Sequence, residues 1–100
     1  MLTRENIIAI LEKESARLKN DFGVKRMALF GSFAGNTQTE NSDVDIMIEL
    51  ERPLGLKFFD LVDYLEKLLG RKIDVLTRDA LKALRVKEVA VAIEESLLYV

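Results

Sequence analysis

Residues 31–45 read GSFAGNTQTENSDVD and lie between two short apolar runs, residues 27–30 and 46–48. This pattern predicts a strand that enters a Gly-Ser turn, followed by a polar excursion that returns the chain to a second strand. The second strand opens with Asp43 and Asp45, whose side chains share one face because strand residues at i and i+2 point the same way. The two carboxylates are expected about 7 Å apart along the strand.

This carboxylate pair indicates a bound cation. Two like charges on an open face repel each other unless a cation lies between them, and carboxylates suit Mg²⁺ or Mn²⁺, which also bring substrate phosphates. Gly31 allows the backbone to come close to a ligand, and Ser32 can cap the short helix that follows. The free N–H groups at that helix start would then face an anion.

The rest of the chain predicts alternating helices and strands. The first strand is expected to place Val24, Ala28 and Phe30 on one face, with Lys25, Met27 and Leu29 on the other. The predicted elements are a helix capped by Thr3 and running to about residue 20, strands over 24–30, 43–50 and 71–77, and helices over 58–69 (ended by Gly70), 79–84 and 87–98.

The second strand has one apolar and one acidic face. Val44, Ile46, Ile48 and Leu50 alternate with Asp43, Asp45, Met47 and Glu49. The first set is fit for burial under helices, and the second predicts an open, acidic face of a two-layer α/β arrangement. The apolar C-terminus, residues 97–100, is expected to complete the core rather than to form a partner surface.

Asp74 lies in the middle of the third strand, where an acid is uncommon without a reason. A strand–helix–strand crossover makes the second and third strands parallel, and adjacent strands lie about 4.8 Å apart. If Ile73 and Val75 share the buried face, Asp74 emerges on the side of Asp43 and Asp45. An isolated strand Asp more often pairs with a Lys or Arg, but beside the aspartate pair we favour a catalytic interpretation.

Composition limits the classes of function. The chain has 100 residues, 49% of them hydrophobic and 32% charged, which predicts a single globular domain over residues 1–100. It contains no Cys and no His, which removes thiolate chemistry, His-based zinc sites and His general bases. The net charge of −2 gives no electrostatic case for direct nucleic-acid binding. Without a long apolar run or a signal-peptide pattern, we expect a cytoplasmic protein that does not bind membranes.

The motif of Gly31-Ser32, ten residues, then Asp43-Val44-Asp45 resembles the signature of the polymerase-β-type nucleotidyltransferases. With so short a chain, it is similar to their minimal branch, the MNT proteins that pair with HEPN partners. The resemblance implies a polymerase-β-like α/β (α+β) fold in two layers, with a small mixed sheet of about three to four strands and helices on one face. It also implies a third acid on a neighbouring strand, and Asp74 is the position that fits.

The resemblance further implies an activity. A nucleoside monophosphate, AMP if the substrate is ATP, would pass to an acceptor hydroxyl and release pyrophosphate. Asp43, Asp45 and Asp74 would hold two Mg²⁺ or Mn²⁺ ions, with Asp74 also the candidate proton acceptor, while Gly31 and Ser32 would hold the β- and γ-phosphates. The acceptor would be a HEPN-type toxin in a hetero-oligomer, so that the protein acts as an antitoxin.

Other functions remain open at this point. A weak or inactive MNT domain could neutralise its partner by complex formation alone, and a structural interaction module could bind a stray cation. An antibiotic-modifying type of nucleotidyltransferase is disfavoured because the chain has no substrate domain. Many minimal members read Gly-Ser-x-Ala-Arg-Gly, whereas Gly35 and Asn36 stand here in place of Arg-Gly, so one cation near the expected phosphates is missing.

Overall fold

The structure is a computed structural model and describes residues 2–100. Within this part of the chain every predicted strand and helix is present to within a few residues, except that the first predicted helix is divided into two. The elements are α1 (Arg4–Lys13), α2 (Ser15–Phe22), β1 (Val24–Phe30), α3 (Gly31–Ala34), β2 (Val44–Leu50), α4 (Lys57–Leu69), β3 (Ile73–Thr77), α5 (Arg78–Lys82), α6 (Lys87–Ser96) and β4 (Leu98–Tyr99).

The strands form one mixed sheet in the order β3-β2-β1-β4. β1 is antiparallel to both β2 and β4, whereas β2 and β3 are parallel because helix α4 carries the chain back between them. The predicted fold class, with its mixed sheet of up to four strands, is confirmed.

The first helical prediction needs a correction at its centre. Thr3 caps α1 as predicted, and its side chain and that of Asn6 exchange hydrogen bonds with each other's backbone N–H. The chain then bends at Glu14 (φ −95°, ψ 6°), so that two helices replace the single helix expected up to residue 20. Glu14 accepts a hydrogen bond from the hydroxyl of Tyr64 on α4, a contact distant in sequence.

The first strand also differs from a simple alternation. A β-bulge between Val24 and Arg26 places one extra residue in β1, so Val24 pairs with Leu50. Val24 consequently packs in the main core with Met27 and Leu29, not on the face of Ala28 where period-2 counting placed it. The bulge could not be read from the sequence because the pairing of β1 with β2 creates it.

The main core lies on one face of the sheet, under α1, α2 and α4. The apolar face of β2 contributes to it as predicted, with Val44, Ile46 and Ile48 fully buried. Gly70 follows α4 as its C-cap, also as predicted. The buried members of this core are Ile7, Leu11, Leu18, Phe22, Val24, Met27, Leu29, Phe33, Val44, Ile46, Ile48, Leu61, Leu65, Leu69 and Ile73.

The opposite face is less open than the sequence predicted. Met47 is 1% exposed and packs with Ala28 of β1 and Leu81 of α5. Partly buried residues of α6, Ala90 and Ile93, cover the same cluster. The aspartates lie at one end of this face, where Asp74 is exposed and Asp43 and Asp45 are partly exposed.

The C-terminal residues add a strand that was not predicted. β4 pairs with β1, with Leu98 opposite Leu29, and Leu98 and Val100 pack against the main core. The expectation that an apolar terminus completes the core is confirmed.

Candidate active site

The register of β2 and β3 brings two of the predicted site residues side by side. Val44 lies opposite Ile73 and Asp45 lies opposite Asp74 in the parallel ladder. Because Val44 and Ile73 both enter the main core, the neighbouring aspartates emerge together on the other face. Asp43 directly precedes β2, and its negative charge acts on Asp45. The three carboxylates therefore lie near one another at the start of β2 and β3.

The electrostatics of Asp45 reflect this crowding. Its pKa is raised from 3.8 to about 6, first by partial burial, then by the negative charges of Asp74 and Asp43, and by a hydrogen bond shared with Asp74. A cation beside these carboxylates would remove the repulsion. Such a cation would bring the pKa of Asp45 back down.

Gly31 fits tightly against this carboxylate. It has φ +71°, and a Cβ added there would lie 2.2 Å from Asp45 Oδ2, well inside van der Waals contact. Residue 31 must therefore be glycine for two independent reasons, its backbone conformation and the space that Asp45 occupies. The Gly-Ser turn and the aspartates form one continuous surface.

The predicted capping role of Ser32 is wrong. Helix α3 begins at Gly31, directly after β1, so Phe30 occupies the N-cap position and Ser32 lies within the helix. The carbonyl of Ser32 instead accepts hydrogen bonds from the backbone N–H (2.8 Å) and the side chain of Thr37, which close the turn after α3.

Arg71 is a site-forming residue that the sequence interpretation did not identify. Its Nη1 donates to the carbonyls of Glu40 (2.6 Å) and Ser42 (2.8 Å), and its guanidinium lies 5.7 Å from the ring centre of Phe33. It thereby connects the start of β3, the loop that ends at Asp43, and α3. The only sequence signal was a basic residue next to the helix-ending Gly70.

The side chain of Arg4 on α1 also reaches this region. It is partly buried and its Nη1 donates to the carbonyl of Ala34 (3.1 Å), at the end of α3. A cation therefore lies next to the position where Gly35 replaces the arginine found in many minimal members.

The donor set fits a divalent cation, since three neighbouring carboxylates supply the oxygen ligands that Mg²⁺ and Mn²⁺ prefer. Within residues 2–100, no three acidic side chains are already gathered closely enough to enclose an ion. A cavity of about 610 Å³ lies at the other end of the strands beside Glu49 and Thr77, and Asp43, Asp45 and Asp74 do not line it.

Glu49 does not contribute to the acidic site. It accepts a hydrogen bond from Arg26 Nε at 2.9 Å, and this contact lowers its pKa. It also lies near the far end of β2, away from Asp43 and Asp45.

These features define a nucleotidyltransferase. Residues 11–100 match the family model described as the nucleotidyltransferase domain, and the chain therefore belongs to this family of enzymes.

Relatives refine the assignment. The chain is 48% identical over its full length, and over the full length of the relative, to a protein of Methanocaldococcus jannaschii named "Putative protein adenylyltransferase". It is 42% identical to the "Protein adenylyltransferase MntA" of Thermococcus cleftensis, over 83% of this chain and 85% of that protein. The resemblance to minimal nucleotidyltransferases is confirmed.

Solved structures agree on the fold. One described as "Structure of putative minimal nucleotidyltransferase" superposes with a TM-score of 0.76 at 24% identity, covering 97% of this chain and 95% of that one. Another, described as a toxin-antitoxin with AMP-PNP, gives a TM-score of 0.56 at 26% identity, covering 83% of this chain and 60% of that one. None of the helices formed by residues 2–100 has the length and apolar character needed to cross a membrane.

Proposed function

We propose that this chain is a metal-dependent adenylyltransferase that moves AMP from ATP to a hydroxyl of a partner protein. The observation that carries the proposal is the adjacency of Asp45 and Asp74 across β2 and β3, next to a turn where Gly31 admits no side chain. The names of two relatives, protein adenylyltransferases that match 100% and 83% of this chain, support the same reaction.

The reaction needs positioning and charge neutralisation more than covalent help. Gly31 and Ser32 would hold the β- and γ-phosphates, because the backbone of α3 can approach a ligand there. Asp43, Asp45 and Asp74 would hold two Mg²⁺ or Mn²⁺ ions. Such ions, when bound, neutralise the charge that develops on the attacking and leaving oxygens.

Asp74 is the candidate proton acceptor because its side chain is exposed while Asp45 is partly buried. It would take the proton of the acceptor hydroxyl as that oxygen bonds to the α-phosphorus of ATP. The bond from the α-phosphorus to the bridging oxygen breaks, and pyrophosphate leaves. The products are an AMP ester of the acceptor and pyrophosphate.

The acceptor is proposed to be a HEPN-type toxin, so that the chain acts as an antitoxin within a hetero-oligomer. The relative MntA and the solved toxin-antitoxin complexes support a toxin partner. Asp74 is exposed at its end of the sheet, where a partner's hydroxyl, a tyrosine by analogy with the family, could reach the site. Because it needs neither a membrane nor a nucleic acid, this activity suits the cytoplasm.

The proposal is tested by intact-mass measurement of a HEPN-type toxin that binds this chain, after incubation of the two proteins with ATP and Mg²⁺. We expect one or more AMP additions with the wild-type chain and none with Asp74→Asn. Asp79→Asn, an exposed carboxylate just beyond β3, is the matched control and should retain the transfer. Tight binding without any mass gain would reject catalysis and leave the second candidate, neutralisation by complex formation alone.

A further inference from the structure

We propose that a shallow groove between α6 and the end of β1 binds the base of the nucleotide. This groove, called here the α6 groove, is lined mainly by Phe30, Gly31, Val89, Ala92 and Ile93 and has a volume of about 390 Å³. The inference rests on the proposed function. It adds a subsite that would distinguish a nucleotide from a bare triphosphate.

The position of the α6 groove follows from the sheet register. Phe30 pairs with Asp45 across β1 and β2, and Asp74 pairs with Asp45 from the opposite side. Phe30 packs against the cluster that contains Met47, so its side chain lies on the same face as Asp45. The α6 groove and Asp74 therefore flank Asp45 on opposite sides.

This arrangement separates the two substrates. Asp74 is the exposed carboxylate to which the acceptor hydroxyl is assigned, so the acceptor approaches from the β3 side. The α6 groove lies on the other side and shares Gly31 with the turn assigned to the phosphates. A nucleotide whose phosphates contact Gly31 can therefore extend its base into the groove without blocking the acceptor.

The chemistry of the walls suits a flat heterocycle. Phe30 is half-buried and offers part of an aromatic ring, while Val89 is 48% exposed and Ala92 adds a small apolar side chain. Stacking on such surfaces stabilises any nucleobase. Glu88 lies at the rim and provides a carboxylate that can accept a hydrogen bond from an exocyclic amine, as adenine carries.

Helix α6 provides a matched pair of valines for the test. It has no fully buried residue, and Val89 and Val91 are similarly exposed, at 48% and 54%. Val89 lines the α6 groove, whereas Val91 lies outside it, on an adjoining surface of the helix. Replacement of each by Gln adds the same uncharged side chain, so the charge near the triphosphate does not change.

The experiment is calorimetric titration of wild type, Val89→Gln and Val91→Gln with the Mg²⁺ complexes of AMP-PNP and of tripolyphosphate. We expect Val89→Gln to weaken AMP-PNP binding about tenfold, in line with the loss of a stacked base, and to leave tripolyphosphate binding unchanged. Val91→Gln should bind both ligands as the wild type does. Melting temperatures of the three proteins check that the fold is intact.

Four results would overturn the inference. Equal AMP-PNP affinity for all three proteins would show that the base lies elsewhere. A Val89→Gln variant that binds AMP-PNP normally but loses the toxin would make the α6 groove a partner surface. Equal binding of tripolyphosphate and AMP-PNP by the wild type would support the phosphate site of the proposed function and reject the base subsite. Failure of the wild type to bind either ligand would reject both the phosphate site and the base subsite.

Discussion

Gly31 and Asp45 illustrate how single atoms define this site. Gly31→Ala should be destabilising and inactivating, because its Cβ would lie 2.2 Å from Asp45 Oδ2 and its φ of +71° is unfavourable for a side chain. The conformational part alone is about 1–2 kcal/mol. Denaturant unfolding and AMP transfer measure the two effects.

Gly55→Ala is the matched control for this prediction. Gly55 also has a positive φ, of +58°, but an added Cβ there would meet no atom within 4 Å. It should show the conformational cost only and leave transfer unchanged. If the two variants were equally stable and equally active, the close approach of Gly31 to Asp45 would have no functional importance.

Asp45 should make the stability of the metal-free protein depend on pH. Its folded-state pKa of about 6 exceeds the value of 3.8 expected in the unfolded chain, so the folded state binds the proton more tightly. The associated stability is fully present below about pH 4 and is lost as the pH rises through about 6. We expect a loss of about 1–2 kcal/mol after allowance for solvent screening.

Thermal melts in EDTA between pH 4 and 7 measure this dependence. Asp45→Asn should remove the decline that the carboxylate causes, whereas Asp21→Asn, an exposed carboxylate on α2, should follow the wild-type curve. A pH profile identical in wild type and Asp45→Asn would contradict the assignment.

Bound metal and nucleotide should stabilise the folded protein. Mg²⁺ with AMP-PNP should raise the melting temperature of the wild type at pH 7 by mass action. It should not raise the melting temperature of the triple variant in which Asn replaces Asp43, Asp45 and Asp74.

At the level of elements, Arg71 joins three parts of the site. Arg71→Ala removes the donor shared by the carbonyls of Glu40 and Ser42, so the loop before Asp43 should open more often. We expect faster hydrogen exchange over residues 36–43 and a transfer rate lowered about tenfold to a hundredfold, since small displacements of a positioned group are costly.

The control for Arg71 is Arg26→Ala. Arg26 also makes a close contact, 2.9 Å to Glu49, but it lies at the other end of the sheet and is exposed. Its loss should cost less than about 1 kcal/mol and leave transfer unchanged. Arg71→Lys should recover part of the transfer rate, because an ammonium can still donate to the two carbonyls. Equal transfer by Arg71→Ala and wild type would contradict a positioning role.

For the whole molecule, the charge distribution predicts how a partner docks. The chain carries a net charge of −2, and three aspartates lie near one another at one end of its sheet. A partner surface that covers them should be basic, and the dissociation constant of the complex should therefore rise with salt. Calorimetry between about 50 and 500 mM KCl measures this. An affinity independent of salt would indicate an apolar interface instead.

Much of the fold was predictable because its signals are local. Alternation in residues 44–50 separates a buried face from an acidic one, Thr3 and Gly70 mark helix ends, and the spacing of Asp43 and Asp45 keeps the two carboxylates near each other. Each of these depends on the geometry of one helix or strand. The class of protein followed from the same local motif.

Other features were decided by contacts between distant residues. The bulge at Val24 arises from pairing with β2, and the clamp of Arg71 on the loop before Asp43 joins residues about thirty positions apart. The raised pKa of Asp45 requires the β2–β3 register to bring Asp74 beside it. Since burial, register and neighbouring charge exist only once the sheet has assembled, the tertiary structure alone could decide them.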